Sequence, residues 1–367
     1  MEQDEILGFD PASLNVFNES QKSGNAGNSI IYKTRPAESK SEDGVYRSTI
    51  KVIWNPFDKS NSIFEQQTYG MTDANGWFSV VSALTLNDPV LSRQCPVFKA
   101  WKQCHYATDP KLKGQESYFQ KSFGRYCLIQ VVSDKNHPEL EGQYMIWKLP
   151  KSVWDIISSK LNPSTESGKA PIPVLDYLVG RSIDLEVSPG PGKPGEERYS
   201  RETKYMCEIS EDVTQCVNPD MSSMLNADEQ EVVDTYVAAA KKVWKCKDVE
   251  ERKQLAREIN RQENTKKFVE IHNKVEEKIK QFCPNLVDEL GYKEWSEDMK
   301  KRVENYINIV LSGNDPKTYQ QAPAVLNDLV AENTTQFPTP GSIPAASPAS
   351  SQASISDVSD DDSDLPF

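Results

Sequence analysis

A chain of 367 residues with 37% hydrophobic content can bury the cores of two ordinary domains, which excludes a wholly disordered protein. Its 55 acidic residues outnumber 42 basic ones for a net charge of −13, so any nucleic-acid surface has to be a local exception. No run approaches the ~18 to 20 apolar residues of a membrane span, and the acidic opening MEQDEILGFD is unlike a secretory signal, so a cytoplasmic location with no membrane partner is expected. The seven cysteines (Cys95, Cys104, Cys127, Cys207, Cys216, Cys246 and Cys283) are odd in number and scattered, which suits reduced thiols rather than a disulfide framework.

Residues 1–28, rich in Asn, Ser and Gly, read as a flexible N-terminal arm. Over 29–222 the texture is short β-rich runs broken by Asn, Asp, Gly and Pro. Strands are predicted at 48–54, 76–84, 117–133, 142–149, 181–187 and 199–209, with one helix in PKSVWDIISSKL, where Val153, Trp154, Ile157 and Leu161 recur at helical spacing after Pro150. Many short strands around one inserted helix point to a small Greek-key barrel.

Helical character takes over in 223–333. Asn226 followed by Glu229 is a capping-box start, periodicity resumes through KDVEERKQLAREINRQENTKKFVEIHNKVEEKIKQF, breaks at Pro284, and returns from Ser296 to Gly313. This reads as a separate helical module. Residues 334–356 are Pro, Ser and Ala with almost no large apolar side chain, a disordered linker, and 357–367, DVSDDDSDLPF, form an acidic tip.

Positive charge is concentrated between Cys95 and Arg125. There Lys99, Lys102, Lys111, Lys113, Lys121 and Arg125 face only Asp109 and Glu116, so 6 − 2 = +4. Phe98, Trp101, Tyr106, Tyr118, Phe119, Phe123 and Tyr126 are interleaved with these cations, and Tyr144 and Trp147 follow on the next strand. Cations that track phosphates beside aromatic faces on which bases stack are the means of holding single-stranded nucleic acid. Aromatics at alternating strand positions also build cores, and parity alone does not separate the two uses. In GQYMIWKL, Tyr144, Ile146 and Lys148 share one face and Met145, Trp147 and Leu149 the other, so at most one of Tyr144 and Trp147 faces a groove. Tyr144 with Lys148 is the preferred pair, and Lys121, Phe123 and Arg125 share a face on the strand before. The candidate DNA-binding set is Lys99, Lys102, Lys111, Lys113, Tyr118, Phe119, Lys121, Phe123, Arg125, Tyr144 and Lys148.

Other chemistry finds no support in the sequence. His105, His137 and His272 belong to no triad pattern, there is no Walker or dinucleotide loop, and Cys95, Cys104 and His105 lack common zinc spacing. No catalytic residue, metal or cofactor is expected, and the protein is not expected to be an enzyme.

The stretch SFGRYCLIQVVSDKNHPELEGQYMIWKLPKSVWDIISSKL resembles the single-stranded DNA-binding proteins of tailed, T-even-type bacteriophages. The matching residues are Val132, Asp134, Pro138, Glu139, Glu141 and Gly142 in a turn, then Lys151, Trp154, Asp155 and Ile156 opening a helix. STIKVIWNP, DANGWFSV and PIPVLDYLVGRSIDLEV fit flanking barrel strands, so the resemblance covers about 29–210. It implies an α+β protein with an OB-fold core, a five-stranded Greek-key β-barrel with insertions, that coats single strands without strong sequence preference during replication, recombination and repair. In a viral setting the compartment is the host bacterial cytoplasm. RQCPVFKAWKQ sits at the family's zinc element, but Phe98 replaces its second cysteine, so the metal is not carried over and Phe98 is expected to plug that subdomain. The resemblance does not explain the helical module, for which self-association, partner docking and covering of the groove all stay open.

The tip is similar to that of bacterial single-stranded DNA-binding proteins. That resemblance implies docking of replication, recombination or repair proteins on Leu365, Pro366 and Phe367, with Asp360, Asp361, Asp362 and Asp364 steering the encounter. The aspartates are also expected to compete with DNA at low salt, and a merely solubilising tail is the simpler reading. A structural or scaffolding virion protein, assembled through the helical module, is the alternative function.

Overall fold

The computed structural model describes residues 30–86, 94–164, 169–192 and 202–319. The arm 1–28 and the linker 334–356 lie outside these, as does the tip with Asp360, Asp361, Asp362, Asp364, Leu365, Pro366 and Phe367.

The chain is α+β. Its strands are β1 (Ile31–Tyr32), β2 (Tyr46–Ile53), β3 (Phe64–Asp73), β4 (Gly76–Val81), β5 (Gln120–Asp134), β6 (Tyr144–Lys148), β7 (Arg181–Ser188) and β8 (Lys204–Val213), all in one sheet. The main path is β1-β6-β5-β2-β7-β8, and β3 joins β5 to β4 off that path. Every pairing is antiparallel except the short β1–β6 contact. Seven α-helices are described: α1 (Pro96–His105), α2 (Lys151–Leu161), α3 (Ala227–Lys245), α4 (Val249–Asn260), α5 (Glu263–Lys280), α6 (Leu286–Leu290) and α7 (Glu297–Leu311).

Local chemistry explains several boundaries. Asn226 and Glu229 make the reciprocal capping box that starts α3, and the Ser296 hydroxyl accepts from the Met299 amide to start α7. Pro96 occupies the first turn of α1, where a missing N–H costs nothing, and Val97, Ala100 and Cys104 bury one side of that helix. Between β5 and β6 the chain turns through Gly142 at φ +83°, where a Cβ would fall 2.5 Å from the Pro219 carbonyl oxygen.

The turn residues singled out by the resemblance hold the fold. Asp134 is fully buried, and one of its oxygens accepts from the Tyr32 and Tyr46 hydroxyls at 2.7 and 2.5 Å while the other accepts from the Asn136 and His137 amides. Glu141 accepts from the Asp134 amide at 2.9 Å. A buried carboxylate so satisfied ties β1, β2 and β5 together.

Three cores result. One sheet face, carrying Ile50, Val52, Cys127, Ile129, Trp147, Ile183 and Leu185, closes on Val153 and Ile157 of α2. The opposite face, with Ile53, Leu128, Tyr144 and Ile146, is covered by Val233 of α3, Phe268, Ile271, Val275 and Ile279 of α5, and Leu286 and Leu290 of α6. The third core joins Tyr69, Met71, Phe78 and Val80 of the β3–β4 hairpin to Val97, Ala100 and Cys104 of α1 and Val303, Tyr306 and Val310 of α7. The described residues therefore belong to one compact unit, and the helices expected as a separate module instead divide their apolar faces between two of the sheet's cores.

Candidate nucleic-acid interface

β5 is 15 residues long and changes neighbours midway. Its first half pairs with β3 (Lys121↔Tyr69, Phe123↔Gln67, Arg125↔Glu65), and its second half pairs with β6 and β2 (Cys127↔Trp147, Ile129↔Val52). Odd-numbered residues share one face. Along it, Tyr69 opposite Lys121 belongs to the third core, and Cys127, Ile129 and Val131 belong to the core under α2. Between those two cores the same face presents Lys121, Phe123 and Arg125, with Phe123 51% exposed.

α1 stands beside this strip. The rings of Phe98, Trp101 and His105 lie nearly parallel along the helix, with centroids 6.2 and 4.7 Å apart, and Tyr106 meets His105 edge-on. Lys121 reaches from β5 to place its ammonium 5.1 Å from the Trp101 ring centre. Lys102 lies 4.7 Å from the Phe98 ring and the Arg125 guanidinium 5.4 Å from Phe123. Lys99, Lys102 and Lys121 are exposed and pair with no carboxylate among the described residues, whereas Arg125 also holds Glu65 at 3.0 Å. Three cations rest on aromatic faces on one connected surface of an acidic protein.

Other candidates lie elsewhere. Phe119 is 2% exposed in the third core, edge-on to Tyr306 at 5.7 Å, so it is a packing residue and not a stacking platform. Tyr144 is likewise corrected. It is 6% exposed on the sheet face beneath the helices, lies over Phe282, and donates its hydroxyl to the Val217 carbonyl at 2.8 Å; burial above all, then the neighbouring Cys216 and Cys283, pushes that phenol's pKa far up. Lys148 is exposed, but its register with Tyr126 puts it on Tyr144's face, opposite Lys121 and Arg125, so it does not join their strip. Trp147, the alternative to Tyr144, is also buried. Tyr118 is half-buried at the edge of the third core, where burial and then Asp315 raise its pKa. Lys111 and Lys113 are exposed in the turn before β5, and Lys111 lies beside Gly313 past the end of α7.

Trp77, which sequence reasoning did not single out, pairs with Thr72 on the sheet face opposite Lys121, Phe123 and Arg125, so it does not join their strip. It is 46% exposed on β4, with its indole nitrogen 3.2 Å from where a Cβ on Gly70 would stand, so the absence of that Cβ lets the ring lie close to the strand. The GWF triplet carried the signal of that exposure, because Phe78 beside it is buried and alternation turns Trp77 outward.

The segment from Pro96 to His105 forms α1. Cys95 and Cys104 are buried in the third core, His105 is exposed on Trp101, and Phe98 packs against that core half-buried. Among the described residues no three His, Cys, Asp or Glu side chains are grouped to hold a metal, none of the cysteines is bonded to another, and no helix is long and apolar enough to cross a membrane. No protein-family model matches the chain, and no curated protein matches it.

Proposed function

We propose that the protein binds single-stranded DNA along the strip formed by Lys121, Phe123 and Arg125 and the α1 surface of Phe98, Trp101 and Lys102, acting by binding and not by catalysis. The three cation–aromatic pairs carry the reading. A phosphate can draw each cation away, and the ring it leaves offers a face to a base, worth roughly 1 to 3 kcal/mol per stacked base. A duplex, with its bases already stacked, gains little there.

The strand path supports an OB-fold reading of the framework. In chain order β2, β5, β6, β7 and β8 lie side by side as 3-2-1-4-5, with α2 between the third and fourth, and β3, β4 and α1 are inserted between the first two. With the turn around Asp134 and Gly142, this agrees with the likeness to T-even-type phage proteins. On that reading the protein coats single strands during phage replication, recombination and repair in the host cytoplasm, and its Leu-Pro-Phe end recruits partner enzymes.

A salt titration with oligothymidine, followed by tryptophan fluorescence, tests the proposal. Quenching, an affinity that falls steeply with salt and a weaker affinity for duplex are expected. An oligothymidine affinity that does not respond to salt, or that Phe123→Ala leaves unchanged, would overturn it.

A further inference from the structure

A second positive surface lies on the helices. From Lys241 to Lys267, across the end of α3, all of α4 and the start of α5, ten Lys and Arg stand against five Asp and Glu, so 10 − 5 = +5. All five acids are engaged within the segment. Asp248 caps α4 by accepting from the Glu251 amide at 2.8 Å, and Glu251 meets the Cys246 thiol. Glu250 pairs with Lys253 at 2.7 Å, Glu258 accepts from Gln254 at 3.1 Å, and Glu263 pairs with Lys266 at 3.1 Å. Lys242, Lys245, Lys247, Arg257, Arg261 and Lys267 remain exposed with no carboxylate partner among the described residues. Arg257 and Arg261 stand one helical turn apart, ~6 Å along the axis.

This surface lacks what the α1–β5 strip has. Its one tryptophan, Trp244, is half-buried against the core covered by α3, α5 and α6, with the Arg181 guanidinium 4.7 Å from its ring. The exposed large apolar side chains nearby are Val249 and Val269, and among the described residues there no aromatic is exposed, Phe268 being buried and Tyr236 half-buried. A protein partner needs an apolar or aromatic anchor, and a single strand needs rings to stack on. Bare cations suit a ligand whose bases are hidden and whose charge lies outside.

We infer that the α3–α4–α5 surface binds the phosphate backbone of double-stranded nucleic acid, as a site distinct from the single-strand strip. The inference goes beyond the proposed function, since it assigns a second ligand class to a second place. A protein with both surfaces can occupy a junction where duplex meets single strand.

The test uses the full chain and two variants, Lys242→Gln/Lys245→Gln/Lys247→Gln and Arg257→Gln/Arg261→Gln, with a fluorescein-labelled mixed-sequence duplex and, separately, oligothymidine. All substitutions are at exposed positions, and thermal melting checks folding. Each variant should lose about tenfold or more in duplex affinity, and the triple variant's log–log salt slope should become shallower by about 2.7, three contacts at ~0.9 each. Oligothymidine affinity should stay within about twofold, and Phe123→Ala should show the reverse pattern. Wild-type protein that ignores duplex, or variants that bind it unchanged, would overturn the inference. So would poly-aspartate binding as tightly as duplex, because the surface would then accept acidic protein segments in general.

Discussion

Phe119 and Phe123 stand four residues apart on one stretch of chain and have opposite fates. Tyr306 from α7 closes over Phe119, and its hydroxyl donates to the neighbouring Tyr118 carbonyl at 2.8 Å. Over Phe123, among the described residues, stands the Arg125 guanidinium, and the residue is 51% exposed. Tyr144, on the other sheet face, is covered like Phe119, by Phe282 and the helix layer. What makes an aromatic a core residue or a binding platform is therefore the segment that returns to cover it, here a helix nearly two hundred residues downstream of Phe119.

Mutation should separate the closed and open classes most sharply at the closed end. Phe119→Ala and Tyr144→Ala are each expected to cost about 3 to 5 kcal/mol in denaturant unfolding, since each leaves a cavity, and Tyr144→Ala also removes one of the two donors to the Val217 carbonyl, the Gln130 amide being the other. A small stability loss with a large affinity loss at either position would erase the distinction.

Lys51 sharpens the contrast from inside. It is fully buried on the helix-covered face with no hydrogen-bond partner for its amine among the described residues, and burial lowers its pKa. Lys51→Met should stabilise the protein by about 1 to 3 kcal/mol near neutral pH. In the wild type the unfolded lysine binds a proton that the folded one resists, so stability rises with pH between the lowered folded value and ~10.4, and the variant's advantage should narrow across that range. An advantage independent of pH would mean that the amine stays charged in the fold.

At the open end, Phe123→Ala should weaken oligothymidine binding by about 1 to 3 kcal/mol while stability moves by less than about 0.5 kcal/mol. Lys121→Gln should act more gently, making the single-strand salt slope shallower by about 0.7. An unchanged slope would place Lys121 outside the strand's path. The smallest effect concerns the pair joining α7 to the β3–β4 hairpin. Hydrogen bonds from Arg302, at 2.8 and 2.9 Å, hold the Asp73 carboxyl below its usual range. The stability this adds is present in full above about pH 4 and is lost as pH falls through the lowered folded value. Arg302→Met should flatten that acid limb in a pH series of thermal melts.

How much of this was legible depended on how local the cause was. The caps at Asn226 and Ser296, the turn at Gly142 and the shared face of Lys121, Phe123 and Arg125 follow from neighbours in the chain, and the structure has each of them. β3 was not legible. FEQQTYGMTD has little apolar rhythm because its buried side chains split between two cores, Phe64 under the helices and Tyr69 and Met71 against α1 and α7. The helices were legible as helices, yet an apolar stripe states that a face is buried without naming what buries it. The charge of the candidate site could be read directly, whereas the burial of Phe119 and Tyr144 required knowing where α5, α7 and Phe282 return.

The length of β5 has one last consequence. The same strand forms a wall of the third core and a wall of the core under α2, and β3 pairs along its first half. The gap between those cores is thus spanned by continuous hydrogen-bonded backbone and not by a linker. The two cores therefore cannot swing apart about a hinge, and the spacing between them is set by strand geometry.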